Sequence, residues 1–263
     1  MAFASKSPWV IHYDGSSCNG CDIEVLATLC PGFDGERFGV VNTGNPKHAD
    51  IFLVTGRMGG GLTNVLVPRD TPGVSVRPLK SVDLTRRFGV VEFHEVRVPL
   101  SAAVGSPGGA AADVEWARQL AVVIGCAESV GAMQRAFDMT VEWAFDRYSF
   151  GRPLASYQAL KHRFADMKSW VEASHAIADE AAAAVAAGAH DAAELVSAAK
   201  AYIGDVGAEL MQDCVQLHGG IGVTYEHDLH LFMRRVVVNR SLDGTSAEHR
   251  RQVADIAIAA RAS

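Results

Sequence analysis

Several things are scarce in this chain. Proline contributes 9 of 263 residues, and the five cysteines, Cys18, Cys21, Cys30, Cys126 and Cys214, are odd in number and irregularly spaced. That argues against the disulfide framework of a small secreted domain. No window approaches 18 uninterrupted apolar residues, and the opening MAFASKSPWVIHYDGSS has no long apolar core. Neither a membrane span nor a secretory leader is expected, and the chain reads as cytoplasmic. Positive charge is not in excess: the formal net charge is -6, and no basic stripe or aromatic-basic interleaving is present to follow a phosphate backbone. Nucleic-acid binding is not expected. No internal repeat occurs. What remains is ordinary globular material, 49% hydrophobic and 21% charged with 25 glycines. The length suits one large domain or two modest ones.

The texture of the sequence changes twice. Residues 1–55 carry short β-rich runs, WVIHY, FGVV and IFLVTG, with one brief helical stretch at Ile23 to Leu29, an α/β pattern. After Gly59-Gly60-Gly61 come LTNVLVP, VSVRPL and FGVVEFHEVRVP, which predict a small antiparallel sheet across 56–105. SPGGAAAD, 106–113, reads as a linker into a helical region, 113–263. There Leu120, Ile124, Ala127, Val130, Phe137, Val141 and Ala144 recur at three- and four-residue spacing, the apolar stripe of a long first helix. A second helix is predicted from about Tyr157 to Ala187 with a stop at Gly188. A third runs from an Asp191/Glu194 capping box to about Leu217, a short one covers His227 to Val238, and a last one follows a Thr245/Glu248 capping box. Three long helices of roughly 40 Å each suit a four-helix bundle. The alanine-rich Ala181 to Ala187 reflects helix propensity.

Four motifs in the helical region carry candidate chemistry. The first is Arg147-Tyr148-Ser149-Phe150-Gly151-Arg152-Pro153-Leu154 with Tyr157-Gln158. A guanidinium is a permanent, forked donor suited to phosphate oxygens, and a phenyl ring offers a flat face; the plainer role for Arg147 is to cap the end of the first helix. The second is Gln216-Leu217-His218-Gly219-Gly220-Ile221-Gly222, whose glycines allow close approach to the backbone or simply stop a helix. The third is Tyr225-Glu226-His227-Asp228-Leu229-His230 with Arg234-Arg235. His227 and His230, three apart on one predicted helical face with His218 upstream, lack the thiolate or carboxylate spacing of a metal site, so a structural role is favoured. The fourth is Leu242-Asp243-Gly244-Thr245-Ser246, where Asp243 is either a catalytic carboxylate or an acid capping the next helix.

In their order and spacing these motifs resemble the acyl-CoA dehydrogenase family, and LVPRDTPGVSVRPL with VVEFHEVRVP resembles the second half of its middle β-domain, so the resemblance covers about 60–261. It implies FAD as cofactor, an acyl-CoA substrate, electron-transfer flavoprotein as electron acceptor, and a homo- or hetero-oligomer. Arg147, Phe150, Gln158, Gln216, Gly219, Gly220 and Thr245 fall at cofactor-binding positions. Asp243 falls where many members carry the Glu that takes the α-proton of the thioester, and is one methylene shorter. Some branches place that Glu on the first bundle helix, near Ala121 here, and Glu128 lies two turns beyond.

Residues 8–55 resemble a different protein. Ser7-Pro8-Trp9-Val10, Ser17-Cys18-Asn19-Gly20-Cys21-Asp22-Ile23-Glu24, the run Asp34 to Gly39 and the run Gly44 to Asp50 are similar to the start of the small subunit of membrane-associated nickel-iron hydrogenases and the related subunit of NADH:quinone oxidoreductase. There a C-x-x-C loop gives two thiolates to a [4Fe-4S] cluster, so Cys18 and Cys21 are candidate ligands and Glu24 a candidate proton relay. Neither Cys30 nor Cys126 and Cys214 suits the remaining ligand positions, and a complete cluster is not expected. The fold class expected is thus α+β: an N-terminal α/β fragment and a partial β-domain, then a four-helix bundle of the acyl-CoA dehydrogenase type. The resemblance implies a dehydrogenase-like flavoprotein whose active site lacks the amino-terminal helical domain. An iron-sulfur electron-transfer subunit and a non-catalytic helical oligomerisation module are the alternatives. Natural fusion, engineered chimera and assembly error would all give this sequence.

Overall fold

The computed structural model describes residues 9–14, 41–42, 49, 51–58 and 60–262. Ile23 to Leu29, Glu24, Cys18, Cys21 and Cys30 lie outside the described residues. Two compact units are distinguished, one comprising Arg86–Ala121 and the chain up to Ser81, the other Val82–Thr85 and Val122–Ser263. The division falls inside a helix, whose first residues group with the strands.

The first unit is built on strands β1 (Trp9–Asp14), β2 (Val41–Asn42), β3 (Ile51–Met58), β4 (Gly61–Pro68), β5 (Val74–Pro78), β6 (Gly89–Phe93) and β7 (Ala103–Val104). A five-stranded sheet runs in the order β2-β1-β3-β4-β7, and among the described residues β5 pairs only with β6. β1 is parallel to both β2 and β3, whereas β3 and β4 form an antiparallel hairpin in continuous register from Ile51↔Pro68 to Met58↔Gly61. The three downstream strand runs therefore do not share one sheet. LTNVLVP joins the sheet begun upstream, because its partner is the adjacent IFLVTG rather than VSVRPL. Alternation gives β3 two buried sides. Phe52 packs with Ala49, Val67 and Val91 and sets its ring edge-on to Phe93 at 6.3 Å, while Leu53 packs with Ala110 and Val114. The 106–113 segment is tied down rather than a free linker: Gly108 N donates to Thr63 Oγ1 at 2.7 Å and Ala110 N to Leu62 O at 3.0 Å. Gly61 makes this possible, since a Cβ there would stand 2.1 Å from Gly108 O.

Helices α1 (Ala111–Asp146), α2 (Gln158–Ala187), α3 (Ala192–His218), α4 (Leu229–Ser241) and α5 (Ser246–Ala262) follow. At 1.5 Å per residue α1 is about 54 Å long, well beyond the expected length. The other long helices are close to expectation. α1 is long and apolar enough by composition to cross a bilayer, but half of its most apolar window is buried in the molecule, as in a core helix. Its buried seam is turned from the one the sequence suggests. Val130, Phe137 and Ala144 are inside, but Ile124 and Ala127 are exposed, and Val122, Cys126, Ser129, Met133 and Thr140 complete the buried face. A count of apolar residues passes over the cysteine and the two hydroxyls. Both hydroxyls bond back to the helix, Ser129 to Gly125 O at 2.7 Å and Thr140 to Ala136 O at 2.6 Å, and so lose their polarity to the core. α3 is the central helix, packed against α2, α4 and α5. Gly207 lets it come close to its neighbours: a Cβ there would meet Val236 at 3.0 Å and Met133 Sδ at 3.1 Å.

Gly188 ends α2 in the left-handed conformation, φ 60°, as a glycine at that position should. The two expected capping boxes have different fates. At α5 the box is complete: Thr245 N donates to Glu248 Oε2 at 2.7 Å and Glu248 N to Thr245 Oγ1 at 3.3 Å. At α3 Asp191 makes no side-chain cap bond, and the first turn is closed by Glu194 N on Asp191 O at 3.0 Å. The short helix begins at Leu229, so His227 precedes it and does not share a helical face with His230.

Candidate functional site

Between the end of α1 and the start of α2 the chain makes a small hairpin, β8 (Tyr148–Ser149) against β9 (Arg152–Pro153). Its two turn residues, Phe150 and Gly151, have φ of 50° and 79°. That pair of left-handed residues matches the twist of a two-residue hairpin, but it puts a bulky aromatic where glycine or asparagine is usual. Phe150 is 97% exposed as well. The turn is held from below: Tyr157 Oη donates to Ser149 O at 2.7 Å, the Arg152 guanidinium lies 3.8 Å from the centre of the Tyr157 ring, and Leu154 N donates to Arg147 O at 2.8 Å. A strained, exposed phenyl ring on a well-anchored turn is an outlier that points to a role outside the chain itself.

Beneath the turn lies a cavity of about 530 Å³. α1 supplies Trp143 one helical turn before Arg147, the turn supplies Ser149 and Leu154, α2 supplies Leu160, and the end of α3 supplies Gln216 to Ile221. Four residues singled out in the sequence, Arg147, Gln216, Gly219 and Gly220, are thus brought together. Among the described residues the Arg147 guanidinium has no hydrogen-bond or ion-pair partner, so it does not cap α1, and its exposed side chain lines the cavity. Gly219 ends α3 with φ 66°, and a Cβ on either Gly219 or Gly220 would meet nothing within 4 Å. At the inner end His218 is buried and stacked on Trp143, ring centres 5.7 Å apart, and its Nδ1–H donates to Cys214 O at 2.8 Å. His218 Nε2 and Trp143 Nε1 are buried and unpartnered among the described residues. One is an acceptor and the other a donor when His218 is neutral. Burial holds the His218 imidazole below its ordinary value, and the neighbouring His227 adds to the effect.

Other sequence candidates stand apart from this cavity. Gln158 is exposed at the first turn of α2, and Thr245 is committed to the α5 capping box. Asp243 does not cap α5, since Thr245 and Glu248 do so. It lies half-buried between α4 and α5 with φ 59°, and His249 Nε2–H donates to its carbonyl oxygen at 2.8 Å. Glu128 is a structural carboxylate, paired with Arg235 and accepting from Asn239 Nδ2 at 2.8 Å. Arg235 also bridges to Asp83 at 2.5 Å. The histidines form an aromatic cluster, His218 to His227 at 4.5 Å and Tyr225 to His230 at 4.8 Å. His227 Nδ1 accepts from Leu229 N at 3.2 Å, and no grouping of three metal-ligating side chains occurs among the described residues. Sequence reading missed Trp143, although it sits four residues before Arg147 and so on the same helix face. It also missed Lys200 and His249, neither of which is marked by a motif.

Comparison with known proteins yields a match of residues 118–258 to the family model "Acyl-CoA dehydrogenase, C-terminal domain". The acyl-CoA dehydrogenase IpdE2 of Mycobacterium tuberculosis is 37% identical over 161 residues, covering 61% of this chain and 45% of that protein. The chain spans about half the length of the first such relatives it matches. A crystal structure of a putative acyl-CoA dehydrogenase from Mycobacterium smegmatis superposes with a TM-score of 0.76 at 27% identity, over 80% of this chain and 57% of that one. A separate stretch of 54 residues, 20% of the chain, is 61% identical to the probable membrane-bound hydrogenase subunit mbhJ of Pyrococcus furiosus, of which it covers 32%.

Proposed function

This chain belongs to the acyl-CoA dehydrogenase family, and we propose that its helical unit binds FAD through the cavity below the Phe150 turn. The observation that carries this reading is the convergence of Arg147, Gln216, Gly219 and Gly220 on one space. The donor set suits the group. An unpaired guanidinium is matched to a pyrophosphate, the glycines leave backbone open to close approach, and the buried Nε atoms of His218 and Trp143 present an acceptor and a donor. When bound, FAD supplies the two-electron acceptor for α,β-dehydrogenation of an acyl-CoA thioester, with electron-transfer flavoprotein as the onward partner. The chain's own contribution is to orient and to move one proton. The Asp243 carboxylate takes the α-proton, and its half-buried place lets it hold that proton at a carboxyl oxygen. Phe150 and Gln158, both exposed and outside the cavity lining, contact the cofactor or a second copy of the chain in a homo- or hetero-oligomer. Thr245 fixes the loop behind Asp243. A cytoplasmic setting belongs to the same proposal.

Titration of the purified chain with FAD, followed by flavin fluorescence, tests the cofactor half. Arg147→Ala raises the dissociation constant by about 10-fold or more, the loss of a charge-assisted contact. Equal affinity in wild type and variant, or no affinity in either, defeats the reading. Loss of flavin absorbance on adding an acyl-CoA, abolished by Asp243→Asn, tests the proton transfer.

A second reading concerns residues 8–55 alone and is supported by the 61% identity to the hydrogenase subunit over 54 residues. Cys18 and Cys21 would be ligands of an iron-sulfur cluster completed by other thiolates. Anaerobic preparation followed by iron and sulfide analysis decides it: colourless, iron-free protein removes this reading.

A further inference from the structure

Lys200 sits in the third turn of α3 and is only 5% exposed, a place ammonium groups seldom occupy unless paired. Its Nζ donates to Leu242 O at 2.6 Å and to Asn239 O. The acceptors are Asn239 in the last turn of α4 and Leu242, its C-terminal cap, where the last carbonyls have no partner within the helix and the helix dipole is negative. The next residue is Asp243. Its φ of 59° and the 100° of Gly244 turn the chain sharply into α5. On the far side His249 holds Asp243 O at 2.8 Å, and a Cβ on Gly244 would stand 3.0 Å from His249 Nε2. The Lys200 charge is also close enough to Asp243 for the two to attract.

We propose that Lys200 is a positioning residue for Asp243: its buried ammonium gathers the carbonyl oxygens of Asn239 and Leu242, and so sets where the left-handed Asp243 backbone presents its carboxylate. An apolar side chain of the same length would fill the space in α3 equally well. Only a multiple donor can hold two carbonyl oxygens from different points of a turn, and only a cation does so while favouring a carboxylate next to them. Burial lowers the proton affinity of Lys200, and Cys126 and Asp243 nearby oppose this only in part.

The inference rests on Asp243 as the base, and the test separates the two. Backbone amide resonances of the full chain are recorded for wild type, Lys200→Met and Lys200→Arg, with melting temperatures, and kcat and KM are measured with an acyl-CoA and a dye acceptor after FAD is added. In Lys200→Met the amides of Asp243, Gly244 and Thr245 shift and broaden while those of α2 do not. In the same variant kcat falls by about 10- to 100-fold with KM nearly unchanged, the effect of a misplaced reacting group. Lys200→Arg restores part of both. Unmoved loop amides in Lys200→Met, or kcat and KM changing only in step with the folded fraction, overturn the proposal. If wild type shows no turnover, the reading of Asp243 as base fails, and the amide resonances still decide whether Lys200 sets the loop. Should Lys200→Met not fold, Lys200→Gln, which keeps a single amide group in place of the ammonium, is read in the same way.

Discussion

Phe150 and His218 both stand in surroundings that oppose what their chemistry prefers. A phenylalanine at φ 50° is strained and, at 97% exposure, gains nothing from burial. Phe150→Asn, a residue that tolerates this conformation, therefore raises stability by about 0.5 to 1 kcal/mol in urea denaturation and weakens FAD binding in the same protein. A gain in both would show that the ring has no ligand to meet. His218 is buried with its proton affinity held down. Because the folded protein resists protonating it, the unfolded chain binds the extra proton first, and stability falls as pH drops below the ordinary imidazole value of 6.5 towards the lower folded value. Above that range its contribution is constant. Unfolding free energies measured from pH 7.5 to 5 should show this decline in wild type and a flatter profile in His218→Gln. The reason Lys200 and His249 escape notice in the sequence belongs to this scale too. Their partners are backbone carbonyl oxygens, which every residue carries alike, so no pairing of residue types announces them.

Helix ends give a controlled pair of tests, since α3 and α5 both follow the same four-residue signature and only one uses it. Thr245→Ala removes a formed capping box and lowers stability by about 1 kcal/mol, whereas Asp191→Ala, with no cap bond to lose, stays within about 0.5 kcal/mol in the same denaturation assay. Equal losses would mean that Asp191 caps α3 in solution. The contrast also marks how far elements can be read from the chain. The existence and order of the five described helices follow from spacing and stop signals, because helical bonds are local, although α1 runs longer than expected. The phase of α1 does not, since Ser129 and Thr140 bond back to the helix and so can share its buried face with Cys126. Strand partners are harder still. Nothing in VSVRPL or LTNVLVP states which run each will pair with, and the observed choice is made by chain adjacency and by the packing of Phe52 on Val91 and Phe93. Arg147, Gln216, Gly219 and Gly220 draw notice in the sequence through the motifs they stand in, while the cavity itself arises only when α1 and α3 end at the same place.

For the molecule as a whole, the segment Val82–Thr85 matters because it lies between two strands in sequence but belongs to the helical unit. Asp83 is the reason. Its carboxylate is buried against Arg235, and hydrogen bonds from Thr85 and Arg235 outweigh the effect of burial and keep its proton affinity low. The stabilisation is present above the ordinary carboxylate value of 3.8 and is lost as pH falls through the lower folded value. Asp83→Asn leaves the buried Arg235 charge less compensated and should cost about 3 kcal/mol, with faster hydrogen exchange in α4 and the second half of α1 and little change in β3 and β4. Uniform acceleration in every strand and helix would contradict that assignment. The β3–β4 hairpin has a different consequence. Its ladder is unbroken along both strands. A protease cut at the Gly60 turn would therefore release no free piece: the two products would stay zipped together and travel as one particle until denatured.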